Sequence, residues 1–170
     1  MCIRDSTTVC DGEILELAIQ SYSGTNVTYN WTYNTAAIAN NSNTLIIDPA
    51  TSANSGTYAV SVEVDGCPSD IASVVVDINT AITLDVDNQT LACVDGSGDL
   101  TLTSAVSGGI SPYTYSWTGP NGFTSSDAMP VISNITATNS GTYNLVITDS
   151  LGCVSAVSYT HLTLPTICSV

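Results

Sequence analysis

The sequence predicts an all-β protein made of two tandem β-sandwich domains, and three observations lead to this prediction. The composition is rich in Thr, Ser, Val, Asn and Asp, and apolar residues alternate with polar ones over short runs. No helical period is sustained. The third observation is an internal repeat, in which Trp31 and Trp117 lie 86 residues apart. Two copies of about 75 residues are each long enough for one small sandwich.

Two matching segments begin the strands on which this prediction rests most. Asn54-Ser55-Gly56-Thr57-Tyr58 recurs 85 residues later as Asn139-Ser140-Gly141-Thr142-Tyr143. In each copy a polar turn leads to a glycine, which can adopt the positive φ of a tight corner, and a tyrosine then starts an alternating run. We predict that these tyrosines and the two tryptophans fill the cores. The predicted core residues are Trp31, Tyr58, Trp117 and Tyr143.

Alternation and turn residues place the remaining strands. The first repeat spans 7–80, and Asp65-Gly66 supplies its clearest hairpin turn. The second repeat spans 81–156, after a linker at 79–81 that is too short for free swinging of the domains. The strands of the first repeat are predicted at 13–20, 27–33, 45–47, 58–64 and 71–78. Those of the second are predicted at 82–86, 100–102, 113–117, 131–132 and 143–147, with a last strand that starts after Cys153 and is cut off near Ala156.

Both ends of the chain have the character of foreign sequence. One set of codons that can encode Met1 to Asp5 reads, in reverse complement, as codons for Val157 to His161. The two words also resemble translated adapter DNA from sequencing libraries. We therefore expect 1–6 and 157–170 to be adapter-derived, and we exclude them from functional reasoning. Because 157–164 is rich in β-forming residues, it can still complete the truncated last strand.

The charge of the part between these ends excludes several functions. Arg4 is the only basic residue and His161 the only histidine, and both lie in the excluded ends, whereas 14 of the 15 carboxylates lie in 7–156. Such a polyanion repels phosphates and anionic lipids, so we expect no nucleic-acid partner and no membrane insertion in this fragment. Without a histidine, or any base beside its Ser and Thr residues, the stretch offers no acid–base or nucleophilic constellation. We therefore expect no enzyme and no catalytic residue.

Several motifs carry a family resemblance. The tyrosine that follows a turn and opens a strand resembles the tyrosine corner of immunoglobulin-like sandwiches. Cys93-Val94-Asp95-Gly96, Pro112-Tyr113-Thr114-Tyr115-Ser116-Trp117 and Asp149-Ser150-Leu151-Gly152-Cys153 resemble the repeats of giant surface adhesins from gliding bacteria. The first repeat is looser and is similar to generic bacterial immunoglobulin-like or polycystic-kidney-disease-like modules. Val60 and Leu145 stand where that fold has its intersheet cysteine, so the antibody-type bridge is not expected.

The resemblance implies two tandem immunoglobulin-like β-sandwich domains from a large secreted or cell-surface bacterial protein. The implied function is structural and adhesive, that of an extracellular spacer with weak ligand binding. Its implied partners are the neighbouring repeats of the same chain and surface glycans or proteins. Two alternatives stay open: a carbohydrate-binding accessory module of a secreted hydrolase, and a calcium-dependent self-association domain.

Three groups of residues are candidates for binding, each beside a simpler interpretation. The segment 95–99 spaces oxygen ligands as the start of an EF-hand calcium loop does, without its bidentate glutamate, and two aspartates near the linker can add oxygens. The alternative is that these residues form Asp-Gly turns and solvated strand faces. Phe123, at the tip of a Gly-Pro-Asn-Gly loop, is the best single contact residue, unless it caps its own domain. Several tyrosines can line a glycan platform or pack internally. The candidate calcium ligands are Asp85, Asp87, Asp95 and Asp99, and the tyrosines are Tyr22, Tyr29, Tyr33, Tyr113 and Tyr115.

Four cysteines lie within the repeats and are expected to form disulfides. Pairs within each repeat, Cys10 with Cys67 and Cys93 with Cys153, suit small secreted domains. The immunoglobulin topology opposes these pairs, because it places the two turns that carry them at opposite ends of a sandwich. The alternative is a Cys10–Cys153 bridge between the domains. We favour the pairs within repeats, because one pair recurs in each.

Overall fold

The computed structural model describes residues 3, 9–86, 98–155 and 158–162. The chain divides into two compact units, Met1–Thr80 and Ala81–Val170. Strands dominate both, so the prediction of an all-β protein is confirmed. The described residues also contain three short 3-10 turns, at Ser52–Asn54, Pro120–Gly122 and Ala137–Asn139.

The described part of the first unit is a sandwich of nine short strands. They are β1 (Val9–Cys10), β2 (Leu15–Ala18), β3 (Val27–Tyr33), β4 (Ala36–Ala37), β5 (Thr44–Ile47), β6 (Gly56–Val64), β7 (Cys67–Pro68), β8 (Ala72–Val76) and β9 (Ile78–Asn79). In the larger sheet, β6 pairs antiparallel with β3, β7 and β8, and β4 pairs with β3. β2 and β5 form a second antiparallel pair, while β1 and β9 run parallel.

Period-two alternation builds the core of this unit. Leu15 and Leu17 are buried and Glu16 between them is exposed, as a strand with one solvated face requires. The inward residues of β3 and β6 meet those of β2 and β5 in one buried cluster. Its largest fully buried members are Trp31, Tyr58, Leu15, Leu17, Val60 and Val62.

The described part of the second unit repeats this plan with eight strands. They are β10 (Thr83–Val86), β11 (Leu100–Thr101), β12 (Ser104–Ser107), β13 (Thr114–Thr118), β14 (Thr124–Ser125), β15 (Val131–Ile132), β16 (Gly141–Thr148) and β17 (Ser158–Leu162). One sheet has the order β14-β13-β16-β17, and the pairs β11–β15 and β10–β12 complete the unit. Trp117, Tyr143, Leu102, Leu145 and Ile147 are the large, fully buried side chains here.

Two strand predictions have the wrong extent because the chain changes its pairing partner there. The prediction for 71–78 is interrupted at Asp77: β8 pairs with β6, whereas β9 turns to β1. The prediction for 100–102 was too short, since β11 pairs with β15 and the chain then continues as β12 beside β10. Periodicity reports which face is buried, but it does not report which neighbour supplies the hydrogen bonds.

The last described strand of the second unit, β17, lies in the C-terminal segment that we expect to be adapter-derived. β17 pairs antiparallel with β16, from Gly141 opposite Leu162 to Leu145 opposite Ser158. Before it, Thr148 and Val154 form a single isolated bridge. The sheet of the second unit is therefore completed by residues beyond Ala156.

The tryptophans provide a test of two separate cores. Trp31→Ala and Trp117→Ala should each destabilise their own unit by about 3–5 kcal/mol, because each removes the largest side chain of a packed cluster. In each variant the remaining tryptophan reports the other unit by its fluorescence during urea unfolding. We expect that transition to be unchanged. Equal loss in both units from either substitution would contradict independent cores.

Candidate functional site

The tryptophans occupy equivalent positions, and their one polar group is satisfied. Trp31 and Trp117 are each 1% exposed. The indole N–H of Trp31 donates to the Ser42 carbonyl at 2.8 Å, and that of Trp117 donates to the Asp127 carbonyl at 3.0 Å. A buried indole needs such an acceptor. Both rings are therefore held by a loop carbonyl on the chain that follows the aromatic strand.

The two predicted corner tyrosines also make the same contact. The Tyr58 hydroxyl donates to the Asn54 carbonyl at 2.8 Å, and the Tyr143 hydroxyl donates to the Asn139 carbonyl at 3.0 Å. Each bond ties the strand to the turn four residues upstream, the geometry of a tyrosine corner. Burial raises the pKa of both hydroxyls, and for Tyr58 the nearby Tyr33 raises the pKa further.

The turns beneath these tyrosines are closed by asparagine side chains. Asn54 Oδ1 accepts from the Thr51 amide at 2.9 Å, and Asn139 Oδ1 accepts from the Thr136 amide at 2.9 Å. The following glycines differ. Gly141 has φ 142°, as the sequence predicts, whereas Gly56 is not at positive φ. A Cβ on Gly56 would lie 2.6 Å from Tyr33 Cε2, so lack of a side chain, rather than a left-handed backbone, is what this position requires.

Sequence reasoning missed the aspartates that brace the turns after β6 and β16. Asp149 is 6% exposed, and its carboxylate accepts backbone amides from Ile110, Leu151 and Cys153 at 2.9–3.0 Å. Asp65 is exposed and accepts the Asn26 amide at 2.8 Å. In both units the carboxylate joins this turn to the loop that precedes the aromatic strand.

A pair of serines beyond these turns was also missed. Ser69 Oγ accepts the Val62 amide at 2.9 Å, and Ser155 Oγ accepts the Ile147 amide at 2.8 Å. Each hydroxyl replaces a strand carbonyl where the ladder is interrupted. The signal was in the sequence, because Ser69 and Ser155 keep the same 86-residue offset as the tryptophans.

The aromatic binding candidates lie mostly against the cores. Phe123 is half-buried and packs edge to face on Tyr143, with ring centroids 5.4 Å apart. The capping interpretation therefore describes its position. Four of the five candidate tyrosines are also partly buried against the cores: Tyr29, Tyr33, Tyr113 and Tyr115. Tyr22 is exposed, and its amide donates to the Tyr29 hydroxyl at 3.1 Å.

Only two of the four candidate calcium ligands lie within the described residues. Asp85 is exposed on β10, opposite Ala105 of β12. Asp99 is exposed, and its Oδ1 accepts the Asn134 amide at 3.2 Å. Asp87 and Asp95 lie outside the described residues. Within the described part of the chain, no group of three His, Cys, Asp or Glu side chains is placed to hold a metal ion.

The predicted Cys10–Cys67 disulfide is wrong, because Cys67 is a free, exposed thiol. The strand directions give the reason. Cys10 pairs with Asn79, just beyond the end of β8 that lies beside Gly56, whereas Cys67 pairs with Val64 at the other end of β6. Eight residue steps along β6 separate these ends by roughly 26 Å. A disulfide spans no more than about 7 Å between Cα atoms.

Cys10 and Cys153 are each disulfide-bonded. Cys93 lies outside the described residues, so its pairing with Cys153 stays a prediction, as does the alternative Cys10–Cys153 bridge.

Among the described residues, no helix has the length and apolar character to cross a membrane.

No known protein family and no curated protein matches this sequence. Solved structures do. The I-band fragment I67–I69 of titin matches 95% of this chain with TM-score 0.57 and 13% identity, and extracellular domains 3–5 of Drosophila OTK match 95% with TM-score 0.52 and 13% identity. Three N-terminal domains of the bacteriophage RB49 outer capsid protein Hoc match 96% with TM-score 0.48 and 22% identity.

These comparisons concern the fold. The chain spans 64%, 61% and 58% of the length of the titin, OTK and Hoc chains, respectively. The I67–I69 fragment of titin is a three-immunoglobulin-domain structure, and identities this low show architecture rather than activity. The prediction of two tandem immunoglobulin-like β-sandwiches is confirmed.

The corner tyrosines predict a loss of stability at alkaline pH. Their folded-state pKa values are raised above the ordinary value of 10.0, so the neutral hydroxyl is favoured in the fold. The resulting contribution to stability is fully present below about pH 10, and it is lost as pH rises through the folded-state pKa values. The free energy of unfolding, measured with urea, should fall between pH 8 and pH 11, and it should fall less in Tyr58→Phe. If the variant showed the same pH dependence, the Tyr58 hydroxyl would not be the cause of the fall.

Asp149 predicts a larger stability cost than its counterpart Asp65. Asp149→Ala removes the acceptor of three backbone amides, of which the Cys153 bond is buried and the Ile110 and Leu151 bonds are partly buried. Each buried amide left without an acceptor costs about 1–3 kcal/mol. We expect the free energy of unfolding, measured with urea, to fall by at least about 3 kcal/mol in total. Asp65→Ala is the matched control: its site is exposed, water replaces the carboxylate, and about 1 kcal/mol is expected. Equal costs for the two variants would contradict the bracing role.

Proposed function

We propose that this chain is a non-catalytic pair of structural repeats from a large secreted or cell-surface bacterial protein, acting as an extracellular spacer. The observation that carries the proposal is that the same side chains have the same structural task in both units. The tryptophan, corner tyrosine, turn asparagine, bracing aspartate and ladder serine each bind backbone groups of their own unit. What the sequence repeats is therefore a scaffold.

The terminal strands of the first unit favour a role under tension. β1 and β9 are the first and last strands described in this unit and run parallel, and the Asp11 amide extends their ladder by donating to the Asn79 carbonyl at 2.9 Å. The chain enters β1 at one end of this pair and leaves β9 at the other. A pull on the termini loads these hydrogen bonds together, in shear, instead of opening them one by one.

The surface charge is compatible with an extracellular array. With a formal net charge of −14, the chain resists aggregation, and salt outside the cell screens its self-repulsion. Among its structural neighbours, the OTK fragment is described as extracellular. The expected partners are neighbouring repeats of the same chain. Surface glycans or proteins are weaker candidates, because most aromatic side chains that would stack on a sugar are packed inward.

Single-molecule stretching of the full chain between two handles tests the spacer role. We expect two unfolding events, one for each unit. Asp11→Pro should lower the unfolding force of one event only, because it removes the amide that donates to Asn79. Asp11→Ala is the control, since it retains this amide and removes only the carboxylate that accepts the Ser52 amide.

If the Pro and Ala variants unfolded at equal force, the claim that the β1–β9 hydrogen bonds bear the load would be contradicted. Urea unfolding of both variants separates mechanical from thermodynamic effects. Reading the gene on both sides of this segment tests the cellular context: further repeats and a surface-sorting domain are expected, and an adjoining hydrolase domain would instead support the accessory-module alternative.

A further inference from the structure

β8 is an edge strand whose outer side has no strand partner among the described residues. It pairs only with β6. Along an antiparallel strand, the N–H and C=O of one residue point to the same side, and the sides alternate. The Asn34 amide donates to the Thr57 carbonyl, so odd residues of β6 point to β3 and even ones to β8. Tyr58 therefore bonds to Val74, and the backbone groups of Ser73 and Val75 point outward.

The same residues present an apolar row to solvent. Ile71, just before β8, is 73% exposed, and Val75 is 74% exposed; they are the two most exposed large hydrophobic side chains described. Ser73 lies between them on the same face and is exposed. Backbone groups that no described strand uses and exposed β-branched side chains thus lie along one short edge. Edges of this kind accept an added strand.

Carboxylates stand at both ends of this edge. Asp70 precedes Ile71 and Asp77 follows Val76, and both are exposed. An extended chain places them roughly 23 Å apart. A second copy of this chain would bring the same acidic ends together within a polyanion, so charge opposes self-pairing. The complementary occupant is an extended segment with basic ends.

We propose that the outer edge of β8 binds an extended, basic-ended peptide segment of another protein by strand addition. Main-chain hydrogen bonds to Ser73 and Val75 hold the segment, Ile71 and Val75 contact its alternate side chains, and Asp70 and Asp77 select its charged ends. This adds a binding edge to the spacer proposed above, and its failure leaves the stretching experiment unaffected.

The test uses the full chain and a synthetic probe, acetyl-Lys-Thr-Val-Thr-Val-Thr-Val-Lys-amide, in NMR titration. We expect amide shifts concentrated at 71–77. A peptide with Glu at both ends should bind at least tenfold more weakly. A peptide N-methylated on alternate residues should also bind at least tenfold more weakly, because it lacks the amide hydrogens that face β8. This comparison changes only the peptide, so a change in the fold of the protein cannot account for the loss.

A matched pair of variants tests the backbone bonds from the protein side. Ser73→Pro removes an amide that faces outward and that β6 does not use, a substitution edge strands accept. Ser73→Ala retains that amide. We expect at least tenfold weaker binding for Pro and a change within twofold for Ala. Equal binding by both variants, equal binding of the N-methylated peptide, shifts outside 71–77, or dimerisation of the chain at this edge in sedimentation would overturn the proposal.

Discussion

The structure depends on backbone amides acting as the positive partners of its carboxylates. The sequence offers one Arg, no Lys and one His, and the Arg and the His lie near its ends. An acidic side chain within either unit therefore has almost no cation to pair with. Its ordered partners are N–H and O–H groups. The described residues show this repeatedly: Asp11, Asp65, Asp99 and Asp149 each accept a backbone amide, and Asp127 accepts a serine hydroxyl.

This constraint explains why polar residues recur at fixed offsets. A salt bridge can be re-formed with another side chain, but a carboxylate or hydroxyl that binds an amide is tied to one turn geometry. Asp149 holds two amides of its own turn and one of the loop before β13, and Ser155 supplies the acceptor that the interrupted ladder lacks. Small sandwiches bury limited apolar surface, so an unsatisfied amide at such a turn costs a large part of their stability. The fold and its polar braces therefore depend on each other.

How far the sequence predicted the structure depends on the range of the interaction. Alternation identified the inward faces of β3 and β6, and the Asn-Ser-Gly-Thr-Tyr segments identified both tyrosine corners, because these signals are local. The Cys10–Cys67 pairing failed because it depends on which strand ends meet: the immunoglobulin topology argued against it, and the recurrence of one pair in each repeat does not show that two ends are close. Gly56 was placed correctly for the wrong reason, since its constraint is the Tyr33 ring rather than its own φ. The role of Asp149 was missed because it is defined by hydrogen bonds to backbone amides, one of them 39 residues away, and backbone amides leave no signal in the sequence.

The two units also show how one scaffold can differ at its edges while its interior is retained. The core and its braces are repeated, yet the first unit closes its ends with the parallel pair β1–β9, whereas the second pairs β10 with β12. Edge strands are where a sandwich meets other chains, and acidic residues at Asp70 and Asp77 limit which chains can pair there. In a chain with almost no basic residues, the same charge that prevents copies from joining edge to edge favours a basic partner. Solubility and selectivity at the β8 edge then have one physical origin.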